Sequence, residues 1–99
     1  MKVKIKLKIV EFNELLTIAT HYTKQKYFFD WSPVQKLNLR AFIFFGAKKQ
    51  IDWAVNNELM HKVKTIAFDI NHFEALKLLF NLERENISQY AKAIFLGIT

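Results

Sequence analysis

Lysine stands at every second position from Lys2 to Lys8, and Val3, Ile5, Leu7 and Ile9 stand between. An alternation of period two cannot bury one side of a helix, but it divides a strand into an apolar face and a charged face. The opening segment, near residues 2–10, is therefore predicted to be a strand with one wet side. Its lysines also discourage pairing with other chains. A second stretch with this pattern runs near 63–70, where Ile66, Phe68 and Ile70 share a face. Two strands alone are marginal in water, so the pair is expected to lie antiparallel with helices covering its apolar side.

The intervening and following segments change to helical spacing. Leu15, Ile18, Ala19 and Tyr22 form one stripe, with Asn13 as the expected N-cap. Ser32 followed by Pro33 marks a helix start. From there to about Lys62 the pattern fits one bent helix, or two separated near Gly46. Asn71 and Glu74 have capping-box spacing before the stripe Phe73, Leu76, Leu79 and Phe80. A last helix is expected to carry Tyr90, Ala91, Ile94 and Phe95, with Asn86 or Ser88 as its cap. The predicted fold is α+β and mostly helical, with four or five helices packed on one face of a small two-stranded antiparallel sheet. Ninety-nine residues give room for a single compact domain over 1–99.

A constant offset of 61 aligns Ile5, Leu7, Ile9, Phe12 and Leu15 with Ile66, Phe68, Ile70, Phe73 and Leu76. Both copies read as a half-buried strand feeding an amphipathic helix. Shared secondary-structure grammar explains the match as well as duplication does.

Composition narrows the function. With no cysteine, the chain has no disulfide framework, thiol nucleophile, Fe–S cluster or thiolate zinc site. Gly46 stands apart from any phosphate-cradling loop, and neither strand leads into a glycine-rich turn. His21, His61 and His72 lack the i, i+4 partner of a helical metal site. Asp69 and His72 straddle a strand-to-helix junction and form the best acid–base or metal pair available. No catalytic residue, cofactor site or metal site is assigned, and the chain is read as not an enzyme.

No apolar run approaches the ~20 residues that span a bilayer, and the Lys-interrupted opening is no signal peptide. A cytoplasmic protein without membrane contact is expected. The Lys, Ile, Phe and Asn bias, with only two arginines, hints at a low-GC bacterium or a mobile element.

Net charge is +6, but beyond Lys8 the balance is 11 basic against 9 acidic residues. Lys2, Lys4, Lys6 and Lys8 thus make the one candidate nucleic-acid surface. As point charges about 7 Å apart they would hold phosphates without reading bases. Aromatics make up 15% of the chain, and eight of them fall between Tyr27 and Trp53. So many large rings are hard to enclose in so small a domain. The resulting expectation is a homodimer with Trp31, Phe42, Phe45 and Trp53 at its seam, acting as an interaction protein that binds another protein through an aromatic surface. A sequence-tolerant nucleic-acid binder using the lysine comb is the alternative.

Overall fold

The computed structural model describes residues 1–82; the helix expected around Tyr90 to Phe95 lies outside them. In chain order the elements are β1 (Lys2–Lys8), α1 (Ile9–Tyr22), a short 3-10 helix (Lys26–Asp30), α2 (Pro33–Val55), β2 (Val63–Asp69) and α3 (Ile70–Leu82). The α+β class and the antiparallel two-stranded sheet are as expected. Three α-helices are found among the described residues, in place of four or five. One reason is that Ser32 to Lys62 yields a single α-helix, followed by turns from Asn56.

Ile5 pairs with Ile66, Lys2 with Asp69 and Lys8 with Val63. This register puts Ile5, Leu7, Ile66 and Phe68 on the buried face and all four comb lysines on the exposed one. Phe12 at the heart of α1 is fully buried. Its ring lies 5.2 Å from that of Trp53, 6.0 Å from Phe42 and 6.1 Å from Phe68, mostly edge to face. The core therefore joins α1, α2 and β2 through one side chain.

Both strands end earlier than predicted, because each helix begins as soon as its strand stops. The Ile9 and Val10 amides donate to the carbonyls of Lys62 and Met60 at 3.1 and 2.9 Å. The Glu11 carboxylate accepts the Lys8 amide at 2.7 Å. Free amides at a helix start need acceptors, and here distant backbone supplies them. Asn13 is consequently inside α1 and not its cap; its Oδ1 accepts from Gln50 Nε2 at 2.9 Å, which ties α1 to α2. At α3 the cap is Asp69, whose Oδ1 accepts the Asn71 amide at 2.9 Å, so Asn71 is a helical residue rather than the cap.

The start of α2 follows the expected chemistry. Ser32 Oγ accepts the Gln35 amide at 3.2 Å, and Gln35 Oε1 accepts the Ser32 amide at 3.1 Å. Gly46 does not break this helix. It is buried against α1, where a Cβ would lie 2.6 Å from Leu16 Cδ1. The missing side chain lets the two helices approach; no turn is required there.

Candidate functional site

The four aromatics expected at a dimer seam serve the chain's own core. Trp31 is 7% exposed, Phe42 0% and Trp53 9%, while Phe45 is half-buried against the core. Trp31 packs on Tyr22 and Phe28, with ring centroids 5.4 Å apart in each case, and its indole N–H donates to the Tyr22 hydroxyl at 3.3 Å. This cluster fastens the 3-10 helix to the end of α1. A single chain already encloses Trp31, Phe42 and Trp53 and covers part of Phe45.

The apolar surplus is nevertheless present, on different residues. Among the described residues, Tyr27, Phe29 and Phe44 are the exposed rings, and Phe44 is 77% exposed. Along α2, Val34, Leu37, Ile51 and Val55 are also exposed. Together with Ala41 and Lys48, these residues recur at alternating steps of three and four from position 34 to 55. That is the spacing of a coiled-coil seam. The buried residues of α2, Leu39, Phe42, Gly46 and Trp53, occupy the opposite side of the helix. Thus α2 has two apolar faces, one in the core and one left uncovered by the other described residues.

The second candidate surface is the open face of the sheet. Lys2, Lys4, Lys6 and Lys8 are all exposed and stand opposite Asp69, Ala67, Thr65 and Val63 respectively. The lysine row is flanked by small residues at its middle and by a carboxylate at one end. Unforeseen from sequence, Lys64 lies on the other face, where its Nζ meets Glu58 Oε1 at 2.6 Å; Lys62 holds Oε2 at 2.9 Å. The two ammonium groups, Lys62 first, hold the Glu58 carboxyl below its ordinary range. This clamp anchors the 56–62 segment to the start of β2.

Asp69 and His72 are near each other but form no hydrogen-bonded dyad. The Asn71 amide, more than any other cause, lowers the Asp69 pKa. Burial beside the Phe42 and Phe45 rings, at 6.3 and 5.4 Å, lowers that of His72 against the opposing attraction of Asp69. His72 Nδ1 is buried without a hydrogen-bond partner. Among the described residues, no group of three or more His, Cys, Asp or Glu side chains is placed to hold a metal ion. No helix among them is long and apolar enough to cross a membrane.

A pH effect follows from His72. Below the ordinary histidine value of 6.5 the unfolded chain takes a proton that the folded chain resists, so stability is full above that value and declines as pH falls. His72→Phe is expected to flatten the melting temperature between pH 7 and 5, where the parent loses stability. Asp69 and Glu58, with lowered values, add their own loss only nearer pH 4.

Comparison with known proteins finds no family model, no curated protein and no solved structure that matches the chain.

Proposed function

We propose that the chain is a small non-enzymatic interaction protein that self-associates and contacts another protein through an apolar, partly aromatic surface. The observation that carries this reading is the row of large exposed apolar side chains on the outer side of α2. A monomer gains nothing from displaying them, and contiguous apolar surface of this kind is ordinarily covered by a partner. Tyr27 and Phe29 add exposed rings just before α2. Trp31, Phe42 and Trp53 have no part in this surface. Sedimentation velocity of the wild-type chain over a dilution series tests the reading: dimers dissociating on dilution support it, and a monomer throughout the micromolar range opposes it.

A second reading, nucleic-acid binding by the comb, is favoured by the exposure of all four lysines on one uncovered sheet face. Binding to mixed-sequence oligonucleotides should then weaken steeply with salt and vanish when Lys2, Lys4, Lys6 and Lys8 are changed to Gln. Binding that persists in the Gln variant would remove the comb from consideration.

A further inference from the structure

We propose that the outer stripe of α2 is the seam of a two-fold dimer in which α2 of a second copy packs antiparallel, with Phe44 of each chain over Ala41 of the other. The inference rests on the reading of the chain as a self-associating protein and names the surface, the occupant and its orientation.

Size and charge select this arrangement. In a parallel, in-register pair the like positions of the seam meet: Phe44 would face Phe44, Ala41 would face Ala41, and Lys48 would face Lys48. Such a pairing crowds one layer, leaves a gap in the next and sets two ammonium groups together in a third. An antiparallel pair centred between residues 42 and 43 gives different layers. Val34 meets Ile51, Leu37 meets Lys48 and Ala41 meets Phe44, and the second half repeats these by symmetry. Each large ring lies over a small side chain. Each Lys48 lays its methylene stem on a leucine while its ammonium reaches water, and the two lysines sit toward opposite ends of the seam. The stripe is thus its own complement, as an isologous interface requires.

The area is adequate. Val34, Leu37, Phe44, Ile51 and Val55 are each between 62% and 77% exposed. Each offers on the order of 100 Å² of apolar surface. The four that take part in the layers withdraw about 800 Å² from water in two copies, and Val55 beyond the last layer, with Ala41 and the Lys48 stem, brings the total to about 1,000 Å², the threshold for a specific interface. The seam from Val34 to Ile51 is about 26 Å long at 1.5 Å per residue.

Disulfide trapping tests the proposal in the full chain, whose lack of cysteine makes the parent a blank control. Val34→Cys and Ile51→Cys variants are oxidised separately and as an equimolar mixture, after circular dichroism confirms that each is folded. The expected result is a covalent dimer in the mixture and little in either variant alone, since only the unlike pair comes within disulfide reach. Linking of Val34→Cys to itself would mean parallel helices and would overturn the orientation while leaving the self-associating reading intact. A protein that dimerises in sedimentation yet links in no combination places the seam elsewhere and also overturns the proposal. A chain that remains monomeric would remove both the proposal and the reading beneath it.

Discussion

Replacing Phe12 with alanine is expected to cost about 3–5 kcal/mol, the range for removing a large buried ring. Total stabilities of small domains run to about 5–15 kcal/mol, so a variant of this kind approaches unfolding. The reason is positional. Phe12 is fully buried, and its ring contacts Phe42, Phe45, Trp53 and Phe68, which come from both faces of the core. Three of these four rings meet Phe12 edge to face, and rigid rings relax poorly into a vacated space. Urea denaturation provides the measurement. A loss below about 1.5 kcal/mol, typical of a volume-conserving swap, would mean that the ring cluster is not packed as described.

The double substitution Phe44→Glu with Ile51→Glu is expected to abolish self-association while leaving the fold intact. Both residues lie on the outer side of α2, away from the core. A surface change in the monomer ordinarily alters stability by no more than about 0.5 kcal/mol. In a two-fold seam, however, each substitution occurs twice and sets a carboxylate against an apolar layer. Four lost contacts, two at Phe44 near the centre and two at Ile51 toward the ends, at about 1 kcal/mol each give a loss near a thousandfold in dissociation constant, at 1.4 kcal/mol per tenfold. Sedimentation reads the change in mass, and circular dichroism on diluted samples reads the fold. A double variant that dimerises as the parent does would acquit this face.

Much of the architecture is legible in the sequence because the two periods are so distinct. Alternation at Lys2 to Lys8 and around Ile66 gives both strands, and the 61-residue offset carries through to the structure. Seven-residue strands begin at Lys2 and Val63, and helices follow at Ile9 and Ile70. The register pairs Ile5 with Ile66, its own counterpart at that offset. The Ile9 amide donates to the Lys62 carbonyl and the Ile70 amide to the Met1 carbonyl, another pair exchanged by the same relation. The two strand–helix units are thus related by an approximate two-fold axis through the middle of the sheet.

What escaped the sequence reading is long-range. The start of α1 at Ile9 depends on carbonyls some fifty residues away, which no local capping rule detects. Gly46 resembles a helix breaker until Leu16 is known to pack against it. The direction of each ring in α2 was obscured because Phe42-Ile43-Phe44-Phe45 is apolar on nearly every side. A signal was present even so. Leu39, Gly46 and Trp53 repeat at seven residues, as do Leu37, Phe44 and Ile51. Separating these two sets assigns Trp53 and Phe44 to opposite faces of one helix.

Whether a second copy covers the outer face of α2 can be read from the reactivity of a thiol placed in the seam. Ala41→Cys introduces one cysteine of nearly the native size into a chain that has none. Its rate of alkylation, relative to folded-chain cysteine at the exposed Lys6 position, is followed as protein concentration rises. The expected thiol is reactive in dilute solution and becomes protected as dimers form, with no such change at position 6. A rate at position 41 that is independent of concentration, whether fast or slow, would contradict the seam.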